Sequence, residues 1–458
     1  MLGVDRATVI EAVEVDEEDD VVVAHVRPRR HTKRRCGICG QRAPGYDRGE
    51  GHRRWRALDL GTVRCFLESD SPRVNCSTHG PTVAQVPWAR HGAGHTLEFD
   101  DEVAWLATHT PKSAVGELMR IAWRSVGSIV ARVVADGRAA HDPFDGLVRI
   151  GIDEISYKRR HRYLTIVVCH DTGRLVWAAV GRDKKTLNGF FHLLGEDRCQ
   201  KIRLVSADAA EWIADVVASR CENATLCIDS FHVVQWATDA LDEVRREVWN
   251  EARRLGMREH AKELKGCRFA LWRNPEDLTA RQEARLSAIA RVNSRLYRAY
   301  LLKEQLRIAI RTKGVLALVM IEDWLSWAAR SRIPAFVELG RKIRRNLPGI
   351  EAAMLNRLSN ALVESTNTKL RVLHRMAFGF KEPEHLIALA LLDRAVAAHH
   401  CQGALADPTP ASTLPRRQER SASFGLPRSA RSLFTASLAP TRRAIRKRRS
   451  GIASATKR

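Results

Sequence analysis

The spacing of hydrophobic residues in the middle of the chain predicts a domain that begins with strands and continues with alternating helices and strands. Apolar runs rich in β-branched residues predict strands, and apolar positions three and four residues apart predict helices. Strands are predicted at residues 147–155, 162–169, 174–180, 202–207 and 225–228, and helices at 184–194 and 211–219. This order indicates a mixed sheet with helices on both faces.

Helical spacing also marks residues 98–138, which precede that domain. A break at 121–123 separates the last predicted helix, 125–134, from the helices before it, as in a helix-turn-helix. One face of the last helix is apolar, and the other carries Arg124, Ser125, Ser128 and Arg132. Such side chains suit a recognition helix in the major groove of DNA, although the spacing fits an ordinary helical hairpin equally well.

The residues after the predicted sheet are charged and helical up to about 350, which indicates an all-helical insertion. Its tryptophans fit either core packing or stacking on an unpaired base: Trp249, Trp272, Trp324 and Trp327. Helices are predicted again at 359–374 and 384–399. From residue 402 onwards Pro, Ser, Ala and Arg dominate, which predicts a disordered basic tail.

The net charge of the chain indicates what kind of partner it binds. The chain of 458 residues has a formal net charge of +23, which favours a polyanion, most simply nucleic acid. No uninterrupted apolar stretch is long enough to span a bilayer, so a membrane role is not expected. The N-terminus does not resemble a secretory signal, and most cysteines stand singly in apolar segments. These features predict a cytoplasmic, nucleoid-associated protein with reduced thiols.

Two pairs of potential metal ligands stand near the N-terminus. Cys36 and Cys39 form a CxxC pair behind a basic cluster, and Cys76 and His79 form a CxxH pair further on. Two such pairs predict a tetrahedral zinc site that joins two knuckles. The alternatives are that His52 or Cys65 replaces one ligand, or that the pairs are unrelated surface residues.

Acidic residues stand at or just after three predicted strands. Asp153 lies at the end of the first strand, and Asp208 and Asp229 follow the fourth and the fifth. Glu364 lies far downstream on a predicted helix. Carboxylates brought together raise one another's pKa unless a divalent metal neutralises them, and hard oxygen ligands suit Mg²⁺ or Mn²⁺. Glu154 is expected on the opposite face of the strand and not as a ligand.

Several motifs together resemble the ISL3 family of bacterial insertion-sequence transposases. They are CxxC…CxxHG, Val86-Pro-Trp-Ala89, the helix-turn-helix, Gly151-Ile-Asp-Glu154, Ile228-Asp-Ser-Phe-His-Val-Val234 and Ala361-Leu-Val-Glu-Ser-Thr-Asn367 with Gly379-Phe380. The resemblance covers residues 30 to 400 and leaves out the tail. It implies a zinc-binding domain, a helix-turn-helix and a ribonuclease-H-like DDE domain that cleaves and transfers DNA strands at the terminal inverted repeats.

The resemblance implies a catalytic triad of two aspartates and a glutamate. Asp153 and Glu364 fit the first and third positions, and the strand count favours Asp208 over Asp229 for the second. Asp229 and His232 would then orient the site, whereas a simple motif match would take Asp229 as the second acid. Arg371, seven residues after Glu364, lies on the same helix face and is a candidate for holding a DNA phosphate.

The sequence therefore predicts a multidomain α/β protein in six segments. They are a zinc-binding domain (1–97), a helix-turn-helix (98–140), a catalytic core in two parts (147–232 and 353–401), a helical insertion (233–352) and a basic tail (402–458). The expected partners are double-stranded inverted-repeat and target DNA and, by analogy, further copies in a homodimer or larger assembly. The competing hypotheses are a catalytically inactive, repressor-like derivative and a ribonuclease-H-like nuclease that acts on RNA or junctions.

Overall fold

A computed structural model of the chain describes residues 6–158, 162–312 and 314–396, with side chains up to residue 394. The strands are Thr8–Asp16 (β1), Val21–Pro28 (β2), Gly45–Asp47 (β3), His52–Arg56 (β4), Arg64–Asp70 (β5), Arg73–Cys76 (β6), Gly80–Val83 (β7), Arg149–Lys158 (β8), Arg162–Cys169 (β9), Leu175–Val180 (β10), Leu204–Ala207 (β11) and Thr225–Ile228 (β12). The predicted tail, 402–458, and the end of the helix predicted at 384–399 lie outside the described residues.

The α-helices of the described residues fall in three groups, in the N-terminal half, in the sheet domain and after it. They are Leu97–His109 (α1), Lys112–Leu118 (α2), Trp123–Ala140 (α3), Lys184–Leu194 (α4), Glu196–Cys199 (α5), Glu211–Arg220 (α6), Ser230–Arg254 (α7), Arg258–Gly266 (α8), Arg268–Trp272 (α9), Ala280–Val292 (α10), Ser294–Arg311 (α11), Val315–Arg330 (α12), Pro334–Arg345 (α13), Leu347–Asn356 (α14), Ala361–Met376 (α15) and Pro383–Leu391 (α16).

Two small sheets form the N-terminal module. The first has the order β1-β2-β5-β4 and the second the order β3-β6-β7. The core of the first sheet includes Trp55 and Trp88, whose rings meet edge to face with centroids 5.6 Å apart. The second sheet surrounds a smaller core that contains Cys36 and Cys76. Each core is small, so a metal ion at the cysteines would add substantially to the stability of this module.

The three helices α1 to α3 do not form a separate body. Thr96 caps α1 through its side chain, and α3 buries an apolar face that includes Val126, Ile129 and Val130. These side chains belong to the same hydrophobic core as one face of the large sheet and the helices α15 and α16. A Cβ atom on Gly127 would come within 3.0 Å of His385, so α3 and α16 are packed closely. The helix-turn-helix is therefore held firmly against the sheet domain.

The large sheet has five strands in the order β10-β9-β8-β11-β12. Strands β8, β9 and β10 run antiparallel, and β11 and β12 run parallel to β8. Helices α4 and α6 cover one face, and α15 and α16 cover the other. The sequence pattern predicted all five strands and helix α4 within three residues of their ends. The central strand, β8, carries Asp153, so this acid lies in the middle of the sheet.

Helices α7 to α14 form the insertion, which has its own large core. Helix α7 begins directly after Asp229 and runs for 25 residues. Trp324 is completely buried, and its indole nitrogen donates a hydrogen bond to the Leu302 carbonyl at 2.8 Å. The other four tryptophans of the insertion, Trp236, Trp249, Trp272 and Trp327, are partly buried against the same core. Core packing thus accounts for Trp324, and base stacking by this side chain would require it to leave the core.

Candidate catalytic and metal-binding sites

The acidic site is built where β11 and β12 end beside β8 and helix α15, and Asp153 stands in the middle of β8, not at the strand end that the sequence pattern predicted. Strand β11 pairs with β8 only as far as Gly151, so the edge of β8 is open where Asp153 stands. A Cβ atom on Gly151 would lie 2.3 Å from Val363 and 2.9 Å from His170. Only glycine at this position lets α15 approach the strand this closely. The Gly-Ile-Asp-Glu motif therefore combines a helix-packing residue with the first acid.

Both carboxylate oxygens of Asp153 accept hydrogen bonds. The Glu154 backbone N–H donates to Oδ1 at 2.7 Å, and the Asn367 side-chain amide donates to Oδ2 at 2.6 Å. Burial, with the nearby negative charge of Asp208, raises the pKa of Asp153 to about 7. A bound cation would stabilise the ionised form of a carboxyl group whose pKa is raised in this way.

Asp208, Asp229 and His232 form a second cluster beside Asp153. The Nδ1 atom of His232 lies 3.0 Å from Oδ2 of Asp229 and 2.9 Å from Oδ1 of Asp208, and only the first contact has hydrogen-bond geometry. The contacts with Asp208 and then Asp229 raise the pKa of His232 to about 10. The imidazole is therefore positively charged at neutral pH, and its Nδ1–H donates to Asp229.

The two aspartates of this cluster differ in exposure and in partners. Asp229 is buried, and its other carboxylate oxygen accepts a hydrogen bond from the Asn360 backbone at 3.3 Å. The side chain of Asp208 is 26% exposed. Its buried Oδ1 accepts no hydrogen bond within the described part of the chain. Asp229 thus accepts hydrogen bonds at both carboxylate oxygens, whereas Oδ1 of Asp208 has an ion-pair contact with His232 without hydrogen-bond geometry.

Glu154 lies closer to the acids than strand alternation predicted. Its carboxylate was expected on the opposite face, yet one of its oxygens groups with oxygens of Asp153 and Asp208, all within 4.8 Å of one another. The reason is the open edge of β8, which a long side chain can pass. Arg182 also holds this carboxylate, with its Nε 3.2 Å away, while burial raises the pKa of Glu154.

Glu364 stands in the first turn of α15 and is exposed. Its neighbours on the same helix face are Asn360, which contacts Asp229, and Asn367, which contacts Asp153. Glu364 therefore occupies the helix face that is directed at the acids. Glu364 belongs to neither acidic cluster of ligand atoms that lie within 4.8 Å of one another, so its role as the third acid stays a prediction.

Three polar residues that the sequence argument did not single out support this arrangement. Asn367 links α15 to Asp153, and Asn360 and Ser206 hydrogen-bond to each other beneath the site. The Ser206 hydroxyl also lies 2.7 Å from Nε2 of His170. Asn367 was visible as the last residue of the Ala361–Asn367 motif, but an amide has no charge or spacing signal that would have indicated its partner.

These observations are consistent with a divalent cation. The candidate ligands are hard carboxylate oxygens, one of which is buried without a hydrogen bond, and they repel one another when no cation is present. The protonated His232 compensates only part of this charge. Asp153, Glu154 and Asp208 offer oxygens close enough together to share one cation, and Glu364 lies on the neighbouring helix α15.

The predicted zinc ligands come together. Ligand atoms of Cys36, Cys39, Cys76 and His79 all lie within 4.8 Å of one another. The sulfur of Cys36 is 3.6 Å from Nδ1 of His79, and the sulfurs of Cys39 and Cys76 are 3.7 Å apart. Backbone N–H groups of Thr78 and His79 lower the pKa of Cys76 to about 6, which favours the thiolate that zinc requires.

The two alternative zinc ligands lie elsewhere. His52 faces Asp70, with Nδ1 3.3 Å from a carboxylate oxygen. Cys65 is buried in the core of the first N-terminal sheet. Neither joins the cluster of four, so the geometry favours the ligand set that the CxxC and CxxH spacing predicted.

Only some of the predicted DNA-contacting residues of α3 are exposed and free to contact DNA. Arg124 and Ser128 are exposed, and Ser125 is partly buried. Arg132 instead places Nε and an Nη atom 3.3 Å from the completely buried carboxylate of Asp100. A buried carboxylate is costly unless a cation pairs with it. Arg132 is therefore a packing residue between α1 and α3, and its predicted role at DNA is not supported.

Comparison with known proteins agrees with this architecture. A family model described as the ISL3 DDE transposase matches residues 150–390. The helix-turn-helix model of transposase family ISL3 matches residues 84–134. A zinc-finger model of the transposases of IS204, IS1001, IS1096 and IS1165 matches residues 32–79. The chain belongs to the ISL3 family of insertion-sequence transposases.

Individual relatives support the same family. The chain is 58% identical over 415 residues to the transposase for insertion sequence element IS1557 of Mycobacterium tuberculosis, covering 86% of this chain and 94% of that protein. It is 26% identical over 337 residues to the transposase for IS1001 of Bordetella parapertussis, covering 73% and 82%. No helix in the described ranges is long and apolar enough to cross a membrane.

We expect Cys76→Ala to remove zinc and unfold the second N-terminal sheet. Its small core would lose the ion that joins Cys36 and Cys39 to Cys76 and His79, and structural zinc contributes roughly 10 kcal/mol in small modules. The measurements are zinc content per chain and limited proteolysis of the N-terminal module. The matched control is Cys65→Ala, which removes a buried thiol outside the cluster and should retain zinc. Full zinc content in Cys76→Ala would contradict this ligand set.

Proposed function

We propose that the protein binds the terminal inverted repeats of an insertion sequence and uses two divalent metal ions, Mg²⁺ or Mn²⁺, to cleave and transfer DNA strands. The observation that carries this proposal is the meeting of Asp153 and Asp208 beside the helix that carries Glu364. The strand order of the sheet supports a ribonuclease-H-like fold, in which a first strand at the centre and a later parallel neighbour both supply acids.

Asp153 and Asp208 are the residues proposed to hold the metal, with Glu364 as the third acid. Bound divalent cations would activate the attacking water or 3′-hydroxyl and stabilise the leaving oxygen. Two observations support the choice of Asp208 over Asp229: Asp208 lies in one cluster with Asp153, and its Oδ1 accepts no hydrogen bond among the described residues, whereas both oxygens of Asp229 do. Asp229 would then position His232, and the charged imidazole would keep Asp208 ionised and in place.

Asn367 is proposed as a positioning residue for the first acid. Its amide fixes one carboxylate oxygen of Asp153, and it stands one helical turn after Glu364. The same hydrogen bond sets the distance between strand β8 and helix α15, which carry the first and third acids. Displacement of the helix would therefore disturb both acids together.

DNA binding is proposed to involve several segments. The zinc module carries the basic cluster of residues 27–35, α3 presents Arg124 and Ser128, and Arg371 stands one turn past Asn367. Phosphate contacts from such cations would give a strongly salt-dependent affinity. Because two element ends must be joined, we propose a homodimer or larger assembly. We propose the six predicted segments as the organisation of the chain, with the helix-turn-helix sharing its core with the sheet.

The proposal is tested by incubating the full chain with duplex DNA that carries the inverted repeats flanking its gene. With Mg²⁺ or Mn²⁺ we expect cleavage at the repeat ends, and without added divalent metal we expect binding alone. A duplex in which the repeat sequence is scrambled serves as the control. Specific binding without cleavage under any metal condition would favour the inactive, repressor-like alternative, and cleavage of RNA in preference to this DNA would favour a nuclease.

A further inference from the structure

A cavity of about 1020 Å³ opens next to the acids, between the end of strand β8 and the C-terminal half of helix α15. The residues on the strand side include Ile155, Tyr157 and Lys158. The helix and the loop that follows it contribute Leu370, Arg371, His374, Arg375, Phe378, Phe380 and Lys381. None of the predicted catalytic acids lines this cavity, which we call the α15 cleft.

The α15 cleft continues directly from the acidic site. Ile155 and Tyr157 follow Asp153 on the same face of β8, so they lie roughly 7 and 13 Å along the strand. On the helix, Leu370 and Arg371 come one turn after Asn367, which contacts Asp153. A DNA strand with one phosphate at the acids would therefore extend along this cleft on one side of that phosphate.

The charge of the cleft suits a phosphate backbone. Its lining carries the cations Lys158, Arg371, Arg375 and Lys381 together with His374, and it includes no Asp or Glu. Within the described ranges, none of the four cations forms an ion pair with an acidic side chain. Positive groups that are not neutralised by the protein are available to a polyanion.

Phe378 stands in this cleft in an unusual conformation. Its φ angle is 53°, in the left-handed region, and its side chain is 90% exposed. The N–H groups of Phe378 and Gly379 bond back to the carbonyls of Arg375 and His374, which is the hydrogen-bond pattern of a helix C-terminus closed by a left-handed residue. Glycine usually occupies that position because a side chain there is strained. The stability of the fold therefore does not explain why a bulky, solvent-exposed aromatic ring stands at this position.

The neighbouring Phe380 explains how the loop is held. Phe380 is buried, and the ammonium group of Lys112 on α2 lies 4.7 Å from the centre of its ring. The loop is thus anchored through Phe380 to the helix-turn-helix, while Phe378 projects outward. A fixed, exposed ring beside several cations is the arrangement by which proteins bind unpaired nucleotides, with bases on the ring and phosphates on the cations.

We propose that the α15 cleft binds unpaired nucleotides of the DNA strand next to the carboxylates, with Phe378 as the stacking platform for a base. This inference rests on the proposed function, because it assigns the path of the DNA substrate beyond the acids. Arg371, Arg375 and Lys381 contact the phosphates that flank the stacked base. Trp324 has no part in this contact, since it is buried in the insertion.

The test measures equilibrium binding of the full chain, without added divalent metal, by fluorescence anisotropy. The two probes are a blunt duplex that carries the inverted repeat and the same duplex with an unpaired 3′ extension. Phe378→Ala is expected to weaken binding of the extended duplex about tenfold and that of the blunt duplex less than about twofold. Phe378→Trp should retain the affinity of the intact protein, and Phe269→Ala, which removes another exposed ring, is the matched control.

A further variant separates stacking from misfolding. Phe378→Gly removes the ring and relieves the left-handed strain, so its melting temperature should be no lower than that of the intact protein while binding of the extended duplex still falls about tenfold. Unchanged affinity of Phe378→Ala for the extended duplex, or equal losses for both probes, would overturn the inference. Cleavage plays no part in this assay. Asp153→Asn should therefore still bind the extended duplex more tightly than the blunt duplex, whether or not the proposed catalysis is correct.

Discussion

Replacing Asp153 with asparagine is expected to reduce metal-dependent cleavage on the order of 10⁴-fold, as loss of one member of a concerted catalytic unit does. Affinity for the repeat-containing duplex should stay within about twofold, because the DNA-contacting cations lie on other elements. The substitution is nearly isosteric. Asn367, whose Oδ1 is buried without a partner, can rotate its amide to accept a hydrogen bond from the new side chain. Loss of activity would therefore report the missing charge.

The same variant should be more stable than the intact protein when no divalent metal is added at pH 8. The pKa of Asp153 is raised from 3.8 to about 7, so ionising this group costs folding stability above pH 4, and the cost grows until pH 7. Three pKa units correspond to at most about 4 kcal/mol, and the partial exposure of the site reduces our expectation to about 1–2 kcal/mol. Denaturant unfolding at pH 8 and pH 4 measures the difference, which should vanish at the lower pH.

Asp215→Asn is the matched control for both measurements. Asp215 is an exposed aspartate on α6 that pairs with Lys184 on α4, on the face of the sheet opposite α15, and it belongs to neither acidic cluster. We expect normal cleavage and a stability change within about 0.5 kcal/mol. If Asp153→Asn cleaved DNA at the rate of this control, Asp153 would not be a metal ligand and the proposed chemistry would be wrong.

Asp208→Asn and Asp229→Asn are expected to differ. Asp208→Asn removes a proposed ligand and should lower cleavage by at least about 1000-fold at every metal concentration. Asp229→Asn removes a residue that holds His232 and should lower cleavage by about 10- to 100-fold. Single-turnover cleavage titrated with Mg²⁺ separates the two, because added metal should partly restore only Asp229→Asn.

The pH profile adds a second readout for the Asp229 variant. Asparagine at position 229 would present an amide to Nδ1 of His232 and would remove one of the two charges that raise its pKa to about 10. Cleavage by Asp229→Asn should therefore decline at a lower pH than cleavage by the intact protein. The opposite pattern, in which only Asp229→Asn abolishes cleavage and Asp208→Asn is near normal, would make Asp229 the second acid.

Local sequence pattern was sufficient to predict most elements of the sheet domain. The apolar run of β8 and the helical spacing of α4 reflect which residues face the core, and neighbouring positions in the sequence are enough to show this. The acidic strand β1 was not predicted, because a pattern of this kind requires residues that face a core. Its residues are almost all exposed, so pairing with β2, and not burial, makes it a strand. An edge strand of this kind resembles a solvated loop in sequence.

The parts of the site that were not predicted depend on contacts between distant segments. Asn360 and Asn367 meet Asp229 and Asp153 across 131 and 214 residues, and no local pattern encodes those partners. Arg132 appeared free for DNA because the burial of Asp100, which pairs with it, has no signature in a helix that is otherwise amphipathic. The meeting of Asp153 and Asp208 could be predicted because β11 lies beside β8 and Asp208 directly follows β11, although Asp153 stands within β8 and not at its end.

The hydrogen bond from Asn367 to Asp153 has a consequence for how the protein is made. The two residues are separated by the entire helical insertion, so a ribosome must synthesise and release α15 before the first acid acquires its neighbour. Until then the growing chain already contains its zinc ribbon and all three helices of the helix-turn-helix, yet lacks a complete reactive centre. A chain terminated before α15 would lack both Asn367 and the helices that complete the core of the helix-turn-helix, so neither the acidic site nor that core would be whole.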